Sequence, residues 1–298
     1  MTKRSQAFGV FTCFLSLMSE PTWLSAENPA DRVTDVVKLA NVDVKESSGL
    51  AASWRTPEHF WTHNDSGDRP RLYAFNQQGK ATGRVELKGC KASDWEDMAS
   101  FVDRGVPRIL VADCGDNDRR RKAITLYLMD EPDPKKSQTV DLKTVEVFSV
   151  VYPDGPRDCE AVAVDPERRE ILLVTKSFLP SVGVYTIPLP PRSNGKLAVR
   201  HEAVAKRIAT LAIPMITAMD VNQQNGDVVI TGYFQAFHYR CKNRDDPFSD
   251  QLGSLPKPIE LPRWRQVEAL TIDSSQQIWL TSEGSPMPMG RIPYEFAE

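Results

Sequence analysis

Short runs of apolar residues alternate with polar turns along most of the chain, and few stretches have the spacing of an amphipathic helix. The runs are about four to eight residues long, and Gly, Pro, Asn and Asp are common between them. Runs of this length with turn residues at both ends are typical of β-strands. The pattern therefore predicts an all-β protein.

An acidic residue stands at the head of a predicted strand five times, at intervals of 48 to 64 residues. Each acid is followed by a second and a third predicted strand. Self-similarity at this period is typical of the blades of a β-propeller, in which one strand of each blade lies against a common axis. We predict a five-bladed β-propeller with one acid per blade at its axis. The five acids are Glu46, Glu96, Glu160, Asp220 and Glu268.

Tyrosines support the same alignment. Five of the seven tyrosines fall in the predicted third strands, at one shared position; they are Tyr73, Tyr127, Tyr185, Tyr239 and Tyr294. The last unit ends at its third strand, predicted at Ile292 to Phe296. We expect the strand from Val33 to Leu39 to pair with it and close the ring, which removes two exposed sheet edges. Six blades stay the alternative, because Lys143 to Tyr152 and the segment after Tyr185 have no assigned blade.

The N-terminus has the pattern of a secretory signal peptide. Lys3 and Arg4 precede an apolar run from Ala7 to Met18, and small residues end at Ala26. The run is shorter than the ~20 residues needed to cross a membrane. We expect residues 1–26 to be a signal peptide and residues 27–298 to be one propeller domain, exported to the periplasm or the extracellular space, with no membrane span.

The charge balance gives no sign of a nucleic-acid partner. The chain has 37 Lys and Arg against 40 Asp and Glu, for a formal net charge of −3. Nucleic-acid-binding proteins usually carry a basic surface or long basic blocks. We expect a monomer whose partner is a small molecule or a protein.

Four cysteines remain after Cys13 leaves with the signal peptide. They form no Cys-x-x-Cys pair, and only four histidines are scattered along the chain, which argues against a zinc site. Cys114 follows the second strand of one unit and Cys159 precedes the axial acid of the next. We therefore predict a disulfide between Cys114 and Cys159, with Cys90 and Cys241 left as free thiols.

The repeated acids predict a site at one mouth of the channel. The start of the first strand and the end of the second lie at the same mouth of a blade, because the two strands are antiparallel. The residues expected near the five acids at that mouth are Asp65, Asp113, Lys176 and Glu283. Clustered carboxylates repel one another unless they bind cations, hold protons or pair with bases. Oxygen ligands suit Ca²⁺ best, with Mg²⁺ or Mn²⁺ as alternatives. The structural alternative is that the acids accept backbone N–H groups at strand ends.

Six stretches of the sequence form a set of motifs: Glu46 to Leu50, Trp61 to Gly67, Asp94 to Ala99, Asp113 to Asn117, Glu160 to Pro166 and Thr281 to Gly284. These motifs resemble those of a broad group of secreted bacterial propellers, the SdiA-regulated type and the phytase-related "esterase-like" type. The resemblance implies a propeller fold and, for some members, calcium binding.

Three functions follow as hypotheses. The first is a non-enzymatic propeller that binds a divalent cation in its acidic channel and a ligand or protein at one mouth. The second is a metal-dependent hydrolase of a phosphate ester, lactone or other ester. The third is a glycosidase, whose paired carboxylates would be ~5.5 Å or ~6.5–9.5 Å apart. No nucleophile elbow, Walker loop or dinucleotide fingerprint occurs in the sequence.

Overall fold

A computed structural model describes residues 33–41, 43–192, 199–284 and 286–296. The proposed signal peptide lies outside these residues. The described chain is nearly all β, with one short α-helix, α1 (Phe248–Leu252), and a single 3₁₀ turn at Leu142–Thr144. None of its described helices is long and apolar enough to cross a membrane.

The strands form five sheets, which are the five blades of a β-propeller. Strand β1 (Thr34–Lys38) belongs to the last blade. The first blade contains β2 (Ser47–Ala52), β3 (His59–Asn64), β4 (Arg71–Asn76) and β5 (Ala81–Lys88). The second contains β6 (Trp95–Asp103), β7 (Val106–Asp113) and β8 (Ile124–Asp130), with β9 (Ser137–Asp141) reaching back to the first blade and β10 (Glu146–Val151) completing the second.

The remaining blades follow the same plan. The third contains β11 (Cys159–Asp165), β12 (Glu170–Thr175) and β13 (Val182–Pro188), after which β14 (Arg200–Val204) joins the second blade and β15 (Lys206–Leu211) completes the third. The fourth contains β16 (Ile216–Val221), β17 (Val228–Gly232), β18 (Gln235–Tyr239) and β19 (Lys257–Glu260). The fifth contains β20 (Val267–Ile272), β21 (Ile278–Ser282) and β22 (Pro288–Ile292), with β1 at its edge.

The ring is closed as the sequence predicted. Strand β1 pairs antiparallel with β22, and the innermost strands of the first and last blades, β2 and β20, are in contact. The segments that suggested a sixth blade instead complete the second and third blades. Strand β10 completes the second blade, β14 pairs with it in parallel, and β15 completes the third.

Hydrophobic packing fills the space between each pair of neighbouring blades. Five separate clusters of buried side chains occupy these interfaces, one for each pair. Inner strands are therefore covered on both faces, and all six residues of β2 and of β16 are buried. This arrangement explains the nearly continuous apolar runs of the inner strands, because neither face meets solvent.

Two details of the predicted alignment are wrong. The third strand of the last blade is β22, four residues before the predicted one, and Tyr294 follows it. In the first three blades the tyrosine faces the equivalent residue of the second strand, as in the pair Tyr185 and Leu173. In the fourth blade Phe237 takes that place, opposite Ile230, and Tyr239 lies two residues further on.

Candidate functional site

A β-bulge at the same place in every inner strand builds the channel mouth. Each inner strand shifts its register once against its neighbour, so that one residue is left unpaired. A bulge turns the extra side chain out of the regular alternation, and bulges are common beside functional sites. The bulged residues are Ser48, Glu96, Glu160, Thr217 and Glu268. Three of the five predicted axial acids therefore occupy equivalent positions.

Glu46 and Asp220 occupy other positions. Glu46 is exposed, two residues before the bulge, where Asp94 and Gln266 stand in their own blades. Asp220 follows the bulge and is buried, and it does not line the mouth. Its Oδ1 accepts a hydrogen bond from the backbone N–H of Val221 (2.8 Å) and its Oδ2 from that of Ile272 (2.8 Å). Asp220 thus has the structural role that was the alternative for these acids.

The mouth encloses a polar cavity of about 120 Å³. We call it the acidic mouth. It contains four of the five predicted axial acids and three of the four residues predicted beside them. Its lining consists of Glu46, Ser47, Ser48, Asp65, Glu96, Asn117, Glu160, Lys176, Tyr233, Gln266, Glu268 and Glu283.

Asp113 is the fourth residue predicted at the mouth, and the structure places it elsewhere. Its carboxylate accepts hydrogen bonds from the backbone N–H groups of Ser93 and Asp94, both at 3.2 Å. It also pairs with Arg121, whose Nη1 lies 2.8 Å from Oδ1. Asp113 therefore fixes the loop that carries Asp94, and Asp94 in turn faces the site.

Three carboxylates form the tightest group. Asp65, Asp94 and Glu96 each offer one oxygen, and these oxygens lie within 4.8 Å of one another. Burial and the nearby Asp65 raise the pKa of Asp94 to about 6. The backbone of Gly115 closes this group from one side: a Cβ at Gly115 would collide with Glu96 Oε1 and Asp94 Oδ2. The absence of a side chain there lets both carboxylates approach the loop.

Glu96 and Glu160 share a hydrogen bond between neighbouring blades. Burial, and then the repulsion from Glu160, raise the pKa of Glu96. Burial also raises the pKa of Glu160, but less, because Lys176 opposes it with its Nζ 3.0 Å from Glu160 Oε2. Glu96 therefore holds the proton of the pair and donates to Glu160, which also accepts from Lys176.

The last blade contributes a second pair of acids. Gln266 Nε2 donates to Glu268 (2.9 Å) and lies 3.3 Å from Glu283. Burial raises the pKa of Glu268 to about 7, and Lys176 opposes that increase. Lys176 also lies 5.3 Å from the ring centre of Tyr233. One ammonium group is thus surrounded by acids of two blades and an aromatic ring of a third.

Sequence reasoning missed six residues of this site. Asp94 belongs to one of the motifs named above but was not predicted as a site residue, and Ser47 and Ser48 were not predicted because they are not acidic. The others, Asn117, Tyr233 and Gln266, lie on loops. Alignment of the first two blades could have identified Ser48. Ser48 lies two residues before Leu50, just as Glu96 lies two residues before Met98, and both Ser48 and Glu96 are bulged residues.

Cys114 and Cys159 are in contact, as expected from neighbouring blades. The Cys114 thiol donates to the backbone oxygen of Cys159 (3.1 Å). Both are free and buried, and Cys90 and Cys241 are free and partly exposed. The disulfide is not formed in this structure and stays a prediction.

Comparison with known proteins supports the fold. No protein-family model and no curated protein matches the sequence. A solved glucose dehydrogenase is similar over 87% of this chain and 99% of its own, with 9% identity and a TM-score of 0.51. A gluconolactonase from Xanthomonas campestris matches at 11% identity over 83% and 72% of the two chains (TM-score 0.45), and a chain of a nidogen/laminin complex at 11% over 82% and 74% (TM-score 0.44). At these identities the likeness concerns the fold alone. The chain is a β-propeller.

Proposed function

We propose that this protein binds a divalent cation at Asp65, Asp94 and Glu96 and receives a small ligand or a protein at the same mouth. The observation that carries the proposal is the approach of three carboxylate oxygens to within 4.8 Å of one another. Like charges at this separation repel strongly when partly buried, and a bound cation relieves the repulsion. Ca²⁺ is the first choice, with Mg²⁺ and Mn²⁺ as alternatives.

The residues present fit such an ion. Hard cations take oxygen ligands, including carboxylates, backbone carbonyls and water. The group consists of carboxylates only, and the lack of a side chain at Gly115 lets oxygens of Glu96 and Asp94 both lie against its backbone. Asp65, Asp94 and Glu96 would hold the ion, and its charge would favour the ionised form of all three.

The other predicted ligands take outer roles in the proposal. Glu46, Glu160 and Glu268 line the same cavity and add negative charge around the ion. Asp220 is left out, because its two oxygens already accept backbone hydrogen bonds.

Thermal unfolding with calcium or a chelator tests the cation site. A ligand that binds only the folded state stabilises it by roughly 2.7 kcal/mol at a hundredfold excess over Kd. Tm should rise with CaCl₂ and fall back with chelator, and Glu96→Gln or Asp94→Asn should blunt the rise. Glu283→Gln is the matched control, since it removes a mouth carboxylate outside the group of three. A melting curve indifferent to both additions would refute the site.

We also propose that the protein is exported and is related to the secreted propellers that its motifs resemble. The motifs that resemble the secreted SdiA-regulated and phytase-related propellers include Asp94 to Ala99, which supplies two of the three proposed ligands. The signal pattern in residues 1–26 supports secretion. Cleavage after Ala26 can be checked by N-terminal sequencing of the exported protein.

A metal-dependent hydrolase is the second candidate function, favoured by one observation. Glu268, whose pKa is about 7, stands at the cavity that would hold the ion. A carboxyl group with a pKa near the working pH is suited to general acid or base catalysis. When bound, the cation would supply Lewis acidity. Glu268 would accept a proton, and Lys176 would bind an anionic oxygen of the substrate.

Turnover separates the two candidates. A panel of phosphate esters, lactones and simple esters, assayed with calcium, should show activity only for a hydrolase, and Glu268→Gln should abolish it while the Tm response to calcium survives. The glycosidase hypothesis fits poorly for Glu96 and Glu160. Their carboxyl groups hydrogen-bond each other, which is closer than the ~5.5 Å or ~6.5–9.5 Å that glycosidases use.

A further inference from the structure

An apolar cavity adjoins the acidic mouth on the side of the fourth blade. It has a volume of about 420 Å³, and its apolar walls are Tyr233, Phe234, Leu261, Pro262 and Trp264. Tyr233 also lines the acidic mouth, so the two cavities share this residue. Small-molecule sites typically combine an apolar chamber of ~300–1,000 Å³ with a few polar groups at one end.

Phe234 is exposed at the entrance to the apolar cavity. Its side chain is 83% exposed, in the loop between β17 and β18, and its ring lies 6.2 Å from that of Tyr233 in an edge-on arrangement. Large apolar side chains grouped at the surface mark interaction sites. The loop therefore presents an aromatic wall that the core of the blade does not use.

The polar end of this space is acidic. Glu268 and Glu283 share one amide donor, Gln266 Nε2. Lys176 is already paired with Glu160, and Arg265 reaches Glu283 only at 3.8 Å from a position that is 76% exposed. The negative charge of Glu268 and Glu283 next to Tyr233 is therefore only partly compensated by Lys176 and Arg265. At the other end, Glu260 and Arg263 have opposite charges and add no net charge.

We propose that the apolar cavity and the Glu268–Glu283 edge together bind a small primary amine that carries an aromatic or alkyl body. The body would pack against Phe234, Leu261 and Trp264, and the ammonium group would donate to Glu268 and Glu283. Tyr233 lines both cavities, but Lys176 Nζ already lies 5.3 Å from its ring centre, so the ligand's ammonium group would pair with the two carboxylates and not with this ring. The inference rests on the proposed function in placing a ligand at this mouth, but its carboxylates are not those of the proposed cation site.

Three probes that share a phenylethyl body and differ in the terminal polar group test the chemistry. The full chain is titrated calorimetrically at about pH 8, where Glu268 is ionised, with 2-phenylethylamine, 2-phenylethanol and 3-phenylpropionate. The amine should bind at least about tenfold more tightly than the alcohol and the carboxylate, since only it pairs with the acids; tenfold corresponds to about 1.4 kcal/mol. Equal or tighter binding of the carboxylate overturns the proposal, and so does an absence of amine binding.

Matched variants locate the probe. Glu268→Gln should weaken amine binding about tenfold, and Phe234→Ala should weaken it several-fold. Phe178→Ala is the control, because Phe178 is 87% exposed in the equivalent loop between β12 and β13 and does not line the apolar cavity. Equal losses in the two phenylalanine variants would contradict the assignment.

The same titrations distinguish this inference from the cation site. Repeating them with chelator and with Asp94→Asn should leave amine binding in place. Retained amine binding without any calcium response would refute only the cation site. A calcium response without amine binding would refute only this inference.

Discussion

Glu96 and Asp97 are neighbours in the chain, both nearly or fully buried, yet they belong to different parts of the molecule. The Asp97 carboxylate accepts two backbone hydrogen bonds at 2.8 Å, from Met98 in its own strand and from Val162 in the next blade. Glu96 faces other acids, in a group with Asp65 and Asp94 and in a hydrogen bond with Glu160. Asp97 thus ties two blades together, whereas Glu96 opens onto a cavity.

In the fourth blade, Asp220 has the same structural role as Asp97. Asp220 accepts from Val221 in its own strand and from Ile272 in the fifth blade. Burial raises the pKa of both Asp97 and Asp220, and backbone N–H groups oppose that rise. A buried acid whose oxygens are filled by backbone donors is part of the scaffold. A buried acid whose neighbours are acids needs a partner from outside, and this difference separates the candidate site from its support.

The largest expected effect is the loss of stability in Asp97→Ala. The substitution leaves the buried N–H groups of Met98 and Val162 without an acceptor, and one of them joins two blades. Unpaired buried donors cost ~1–3 kcal/mol each, so the free energy of unfolding should fall by about 3 kcal/mol. Urea unfolding followed by circular dichroism measures this change.

Glu96→Gln is the matched control for that experiment. It should leave the urea midpoint nearly unchanged in chelator, because Glu96 already holds a proton and the introduced amide can donate to Glu160 in its place. If the two variants lost equal stability, the division between scaffold acids and site acids would be wrong.

A smaller effect is expected from Gly115→Ala. Its Cβ would collide with the ends of the Glu96 and Asp94 side chains, which are flexible and can move aside. The fold should survive with little loss of Tm, but the displaced oxygens should no longer converge. We expect calcium affinity, measured by isothermal titration, to fall about tenfold or more. Unchanged affinity would mean that the cation does not lie beside Gly115.

The five-bladed architecture could be predicted from the sequence because packing between blades determines which positions are apolar and which are polar. Inner strands buried on both faces need continuous apolar runs, and the turns between them need polar residues. Two strands, β9 and β22, do not follow this pattern and were not predicted from it. Strand β9 lies at a sheet edge, is only partly buried and has no apolar pattern. Strand β22, with the sequence Pro-Met-Gly-Arg-Ile, has few residues that favour strands, and its place depends on Met289 filling the core beside β1.

The site was only partly predictable, because a bulge breaks the alternation that sequence reasoning uses. Glu96, Glu160 and Glu268 turn toward the mouth at the bulges, whereas Asp220, three residues after the bulged Thr217, faces another blade. One residue of shift moves a side chain to the opposite face. The acid at the head of a strand was therefore a sound signal for the mouth but a poor guide to which acids meet there.

The smallest expected effect concerns the pH dependence of stability and involves Glu268. Burial raises its pKa from 4.5 to about 7 in the folded protein. Between these values the folded protein binds more protons at this site than the unfolded chain does, so stability should fall as pH rises from about 4.5 to about 7. Below that range the carboxyl group is protonated in both states and causes no loss. Glu268→Gln has no proton to release, and in chelator its Tm should therefore fall less steeply with pH than that of the unsubstituted chain.

Asp133→Asn is the control, since Asp133 is a surface residue whose pKa is lowered, mainly by a backbone hydrogen bond from Lys135, and it should not flatten the slope. A profile for Glu268→Gln that runs parallel to the unsubstituted protein would show that Glu268 is ionised at no cost, and the acidic mouth would then be less desolvated than its geometry indicates.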